Sequence, residues 1–179
     1  MLTSAEDRGP VQDVNVRAIV PADLPHVVAL FDTTMGAGFW GGIDLARPGV
    51  YLLAEKNGEL LGAATGTILE QLSYAPELEA PVGMVELVAV SPDARGEGIA
   101  TLLADAVGAS CLDQDAASLA AFAWVHAGAD RGALAGVLER LGYARLRRLE
   151  DFYAGTPGDG PCPACGENPC VCMADLYVR

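Results

Sequence analysis

Three groups of residues in this chain have types and spacings suited to chemistry. The first is Arg95-Gly96-Glu97-Gly98-Ile99-Ala100, which follows the β-branched run Val85 to Val90 and a Ser91-Pro92-Asp93 break. The run reads as a buried strand and the break as a turn, because proline cannot donate to a ladder and Ser and Asp bond their own backbone. Ile99, Leu102, Leu103, Ala106 and Val107 then recur at helical spacing, so the glycines stand where a helix begins. First-turn amides of a helix have no intrahelical acceptor, and the dipole adds roughly half a positive charge there. Gly96 and Gly98 have no Cβ to hold a phosphate off, and Arg95 offers a guanidinium able to grip it in bidentate fashion. The turn suits a diphosphate. It lacks the Gly-Lys-Ser/Thr ending of a P-loop. Thr101 and His126 stand where a dinucleotide fingerprint would want a small residue and an acid.

The second group is one residue, Glu86, a carboxylate within an otherwise apolar strand. A charge there is costly unless it faces a wet cleft or a partner. It reads as a carboxylate facing a wet site, or as a structural acid facing a cleft wall or paired with a nearby arginine. The third group is Cys162-Pro-Ala-Cys165-Gly-Glu-Asn-Pro-Cys170-Val-Cys172. Cys-Pro-x-Cys-Gly looks like a zinc knuckle, and four thiolates match tetrahedral Zn²⁺ in number and kind. Labile disulfides, an iron–sulfur centre and no ligand at all are the alternatives. Cys111, near the end of an apolar helix, reads as a small buried hydrophobe.

The elements that must position these groups fit one domain. At 179 residues the chain can bury a substantial core, and 51% hydrophobic residues exclude a disordered composition. A net charge of −13 argues against nucleic acid and anionic membranes as partners. No run of about 18 apolar residues occurs, and the polar start at Met1 to Asp13 is unlike a signal, so a flexible tail and a cytoplasmic protein are expected.

Val14 to Ile19 predicts a first strand, and Pro21 to Pro25 starts a helix with Asp23 as N-cap and His26 on its surface. Glycine-rich 36–49 carries Phe39 and Trp40, which either line a pocket or plug the core. Tyr51 to Lys56, Asn57-Gly58 and Glu59 to Leu69 predict a hairpin with a type I′ turn. A helix over 98–112, a strand over 119–127 with His126 at its end, and a helix over 131–141 capped by Gly142 follow. Tyr143 reads as a core plug, and 144–153 and 173–178 as the last two strands.

Arg95-x-x-Gly98-x-Ala100 after Val88-x-Val90-Ser-Pro-Asp93 resembles the acetyl-CoA diphosphate loop of the GNAT superfamily of N-acetyltransferases. The opening Arg17-Ala-x-x-Pro21-Ala-Asp-Leu-Pro25 and the helix end Leu138-Glu-Arg-Leu-Gly-Tyr143 are also similar to that family. The resemblance covers 14–154 and 173–179. It implies an α/β GNAT fold: one domain over 14–179, with a mixed, mostly antiparallel central sheet flanked by helices. A tail, 1–13, precedes it, and a cysteine-rich insertion, 155–172, separates the last two strands.

The resemblance also implies acetyl transfer from acetyl-CoA to a primary amine of a small molecule or protein. Arg95, Gly96, Gly98 and Ala100 would hold the diphosphate, with Glu97 and Ile99 contributing amides. Val88, Ala89 and Val90, on a strand splayed from its neighbour, would serve the pantetheine arm. Glu86 would be the base. The tyrosine acid common in the family is replaced by Leu138, which leaves Tyr143 or, as the choice here, Tyr153. Zn²⁺ on the cysteines would staple the long connection. The partner is an amine-bearing substrate, with a homodimer admitted; a non-catalytic acyl-CoA-binding or sensing module is the rival.

Overall fold

The structure, a computed structural model, describes residues 13–38, 40–155 and 161–179; the N-terminal tail up to residue 12, Phe39 and part of the cysteine-rich insertion lie outside them. Seven strands form one sheet in the order β1-β2-β3-β4-β5-β7-β6. In chain order the elements are β1 (Asn15–Ala18), α1 (Leu24–Met35), β2 (Val50–Lys56), β3 (Glu59–Leu69), β4 (Val82–Val90), α2 (Ile99–Leu112), β5 (Ser118–Val125), α3 (Ala135–Arg140), β6 (Ala144–Leu149) and β7 (Met173–Val178). Every neighbouring pair is antiparallel except β4 with β5. The expected mixed, mostly antiparallel α/β sheet is therefore present, and no described helix is long and apolar enough to cross a membrane.

The β2–β3 turn has the predicted chemistry. Asn57 (φ 53) and Gly58 (φ 80) take the two positive-φ positions of a type I′ turn. Helix α2 packs on one face of the sheet, against Ala54, Ala64, Val85 and Leu119, through Ile99, Leu103, Ala104, Val107 and Cys111. Two glycines allow that close approach. A Cβ on Gly66 would lie 2.4 Å from Val107 Cγ1, and one on Gly83 would lie 2.5 Å from Cys111 Cβ. Cys111 is fully buried, as expected of a small hydrophobe. Helix α1 covers the other face, burying Val27 and Phe31 against Leu53, Ala63 and Ala89.

Several boundaries differ from the sequence expectation, among them the end of β5, which stops at Val125 and leaves His126 beyond it. Pro21–Asp23 forms a 3₁₀ turn that runs straight into α1, so Asp23 is already helical (φ −80, ψ −22) and does not cap with its side chain. Its carboxylate instead accepts from Val20 N–H and pairs with Arg17 at 2.7 Å, and Arg17 also reaches Glu55 at 3.0 Å. The last helix keeps only 135–140, because its amphipathic spacing begins inside a turn. The strand predicted over 144–153 ends at Leu149.

Strand β7 is inserted between β5 and β6, so the cysteine loop joins two adjacent antiparallel strands, as expected. Asp175 on β7 is fully buried but satisfied. Arg148 Nε and Nη2 donate to its two oxygens at 2.7 and 2.9 Å, and Arg145 lies 3.6 Å away. Those hydrogen bonds hold its carboxyl below the usual carboxylate range.

Candidate functional site

The site starts from a break in the sheet. β4 and β5 pair in parallel over only four positions, from Val82↔Ser118 to Val85↔Ala121. Beyond Val85 the register ends, and the second half of β4 leaves β5. On its other side β4 carries a bulge: Thr65 faces Leu87 and Gly66 faces Val85, so Glu86 is skipped. A bulged residue re-aims its side chain. Two grooves open along this half of β4, one reached by Val90 and the other by Glu86 and Leu87.

The first groove, about 640 Å³, is lined by Val90 and the whole turn from Ala94 to Leu102. Gly96 (φ 82) and Gly98 (φ 87) both take left-handed conformations, and Gly98 is the N-cap of α2. Arg95 to Gly98 are exposed, and Arg95 Nε donates to Val90 O at 3.4 Å. The amides opening α2 thus face a cleft with a guanidinium at its rim. Opposite them, α3 contributes Val137 and Arg140, Leu141 follows at its end, and Arg140 Nη2 lies 3.5 Å from Thr101 Oγ1. Two arginines lining one groove stand out in a chain of net charge −13.

The predicted cofactor residues Val90, Arg95, Gly96, Glu97, Gly98, Ile99 and Ala100 all line this groove. Val88 and Ala89 lie on the splayed part of β4, Val88 packed toward α2 and Ala89 toward α1. Arg140 and Thr101 went unnoticed in the sequence. Nothing local to either residue reveals that α3 packs beside the start of α2.

The second groove, about 510 Å³, has Glu86 and Leu87 beside Thr65, Thr67, Tyr51 and Trp40. Glu86 is exposed to the groove yet enclosed by its walls, and this desolvation raises its carboxyl pKa. Trp40 plays both of its expected parts. Its ring stacks on Phe31 at 4.9 Å, its indole N–H donates to Asp32 Oδ1 at 2.7 Å, and it still lines the groove. His26 is exposed, and Tyr143 is buried in the core with Arg179 over its ring at 5.2 Å.

Tyr153 lines neither groove. It packs on Trp124 (5.6 Å between ring centroids) and on the cysteines, and burial followed by the nearby thiols raises its phenol pKa. His126, just beyond β5, meets the edge of Trp124 at 4.9 Å.

The four sulfurs of Cys162, Cys165, Cys170 and Cys172 lie within 4.8 Å of one another. Cys162 to Cys172 is 4.0 Å and Cys165 to Cys170 is 3.9 Å. A tetrahedral ion with Zn–S bonds of about 2.3 Å needs sulfur edges of about 3.8 Å. Four sulfurs this close leave room for one ion and not for a multi-iron cluster. The knuckle is locally built: Cys162 N–H donates to Glu167 O, Gly166 N–H donates to Cys162 O, and Gly166 takes φ 75. Amide donors from Glu167 and then Val171 lower the Cys165 thiol pKa to about 6, whereas burial raises those of Cys170 and Cys172. The Ala127 amide and the Trp124 indole N–H are directed at Cys172.

A sequence profile described as the acetyltransferase (GNAT) family matches residues 23–143. No curated protein matches the chain in sequence. Among solved structures, it is similar to the ribosomal-protein-S18-alanine N-acetyltransferase from Escherichia coli, with a TM-score of 0.61, 14% identity and 92% of each chain covered. Arabidopsis thaliana NAA60 in complex with a bisubstrate analogue gives 0.65 at 16% identity, over 92% of this chain and 97% of that one. Chaetomium thermophilum Naa20, also in complex with a bisubstrate analogue, gives 0.65 at 21%, over 91% and 85%. At these identities the likeness to solved structures is one of fold.

Proposed function

We propose that this chain, which belongs to the acetyltransferase (GNAT) family, moves an acetyl group from acetyl-CoA to a primary amine. The observation that carries the reading is the turn from Arg95 to Ala100, which opens α2 onto a groove beside the parting of β4 from β5. The amides at the start of α2, with Arg95 and Arg140, hold the negative diphosphate end. Val88, Ala89 and Val90 offer β4 backbone to the pantetheine arm. Acetyl-CoA supplies the thioester; the amine nitrogen bonds to the acyl carbon, the C–S bond breaks, and the thiolate leaves.

Glu86 takes the amine proton. A carboxylate raised by desolvation is a better base than an ordinary glutamate at neutral pH. Its groove, with Trp40 as a wall, receives the acceptor. Tyr153 is assigned to packing against Trp124 and the cysteines rather than to proton donation, since the thiolate of coenzyme A departs without a dedicated acid. Zn²⁺ on the four cysteines completes the reading as a structural ion.

The test is free-thiol release from acetyl-CoA across a panel of primary amines, including peptide N-termini, lysine side chains, polyamines and aminoglycosides. Amine-dependent release is expected for at least one class. Cofactor binding with no release for any class would favour an acyl-CoA-binding module, and neither binding nor release would remove the reading.

A further inference from the structure

The cysteine cluster touches more than its own loop. Pro163, between the first two cysteines, packs against the residue that ends α1: a Cβ on Gly36 would lie 2.6 Å from Pro163 Cγ. Gly36 (φ 91) opens the segment that leads to Trp40, Gly41 and Gly42, a wall of the groove that holds Glu86. The far end of the cluster meets β5. Cys172 is fully buried with Cys162 and Cys170 against Trp124 and Tyr153, and Trp124 carries His126 on its ring edge. One small cluster therefore contacts both the start of the groove wall and the strand that parts from β4. The turn at 96–101 belongs to the other groove, and no cluster residue lines that groove.

We infer that Zn²⁺ bound by Cys162, Cys165, Cys170 and Cys172 clamps Pro163 onto the end of α1 and thereby fixes the acceptor wall, so that metal occupancy governs acceptor binding and leaves acetyl-CoA binding alone. The inference rests on the acetyltransferase reading for the word acceptor, while its physical content is the coupling between the metal and the wall. A bare loop of this length would have to be ordered by the acceptor itself. With the metal in place, that ordering precedes binding.

The experiment uses the full-length protein purified without chelator. Metal analysis is expected to give roughly one zinc per chain, and Co²⁺ exchanged for it should give the visible bands of a tetrahedral thiolate site. Amide exchange is then compared before and after removal of the metal with a chelator. Faster exchange at 36–42 and 124–127, with 96–101 unchanged, is the expected pattern. The variant Pro163→Gly keeps all four thiolates and decides the matter if stripping unfolds the chain. It should retain the zinc and the Co²⁺ spectrum, quicken exchange at 36–42, and leave the acetyl-CoA thermal shift as in the wild type. Its acceptor KM should rise roughly tenfold, the cost of ordering one or two wall side chains on binding.

Absence of bound metal overturns the inference. So does Pro163→Gly with unaltered exchange at 36–42. If no amine is acetylated but the exchange pattern appears, the acetyltransferase reading fails while the metal-to-wall coupling stands, so the two failures are distinguishable.

Discussion

Gly98 holds φ 87 and ψ 2 at the N-cap of α2, so alanine there must adopt a left-handed conformation at a cost of about 1–2 kcal/mol. For a chain of this size each kcal/mol moves Tm by roughly 2–4 °C, so Gly98→Ala should melt about 2–8 °C below the wild type without ligand. The second effect is on the ligand. Acetyl-CoA at about 100 times Kd adds about 2.7 kcal/mol to the wild type, a rise of roughly 5–11 °C. A new Cβ at the mouth of the turn displaces the diphosphate from at least one amide, and a hydrogen bond to a charged group is worth about 1.5–3 kcal/mol, or tenfold and more in Kd. At the same ligand concentration the variant should then gain only about 1.4 kcal/mol, half the shift. Gly58→Ala is the control. It has φ 80 at the tip of the β2–β3 turn with open space around it, so it carries a similar strain and should keep the full ligand shift. Differential scanning fluorimetry on the three proteins is sufficient. Equal acetyl-CoA shifts in all three would refute the placement of the diphosphate on this turn.

Glu86→Gln should slow turnover and flatten the acidic limb of the pH–rate profile. The same change should raise Tm at neutral pH, because a raised carboxyl pKa means that the folded state prefers the protonated form. Stability contributed by that proton is full below the ordinary glutamate pKa and is lost as pH rises through the raised one, so the gap between variant and wild type should widen across that window. Asp175→Asn should cost about 2–3 kcal/mol in urea unfolding through weakened bonds to Arg148. Its pH dependence has the opposite sign: the carboxyl pKa is lowered, so the wild-type advantage persists at neutral pH and disappears as pH falls below the usual carboxylate range. Leu103→Ala, at a fully buried position between α2 and the sheet, should lose about 2–5 kcal/mol while leaving the diphosphate turn in place, read as a lower Tm with an unchanged acetyl-CoA shift.

What the sequence disclosed was the local part of the site. Strand β4, its proline break, the glycines and α2 are consecutive, so their geometry follows from propensity and spacing alone, and the groove-lining residues from Arg95 to Ala100 were readable in full. The type I′ turn at Asn57-Gly58 was legible for the same reason. Glu86 was visible as an oddity, but its bulge was not, because a skipped residue exists only relative to the register of β3. Arg140 was hidden by a tertiary contact between α3 and the start of α2. Asp23 looked like a cap, yet Arg17, which also pairs with Glu55 on β2, recruited its carboxylate. The four clustered thiols had the number and spacing of a metal site already in the sequence, whereas the seat of Pro163 on Gly36 is a meeting of residues more than a hundred positions apart.

The parallel contact between β4 and β5 is four residue pairs long, and the loop with the four clustered cysteines hangs from β6 and β7, on the β5 side of it. The sheet is in effect two leaves stitched by a short seam, with the nucleotide-grade turn rooted in one leaf and the sulfur-rich flap in the other. Changes in length or composition of the flap reach the first leaf where Pro163 meets Gly36, at the end of α1, and not at the turn that opens α2. On the proposed reading, a lineage could retune the acceptor side while inheriting the turn that opens α2 intact.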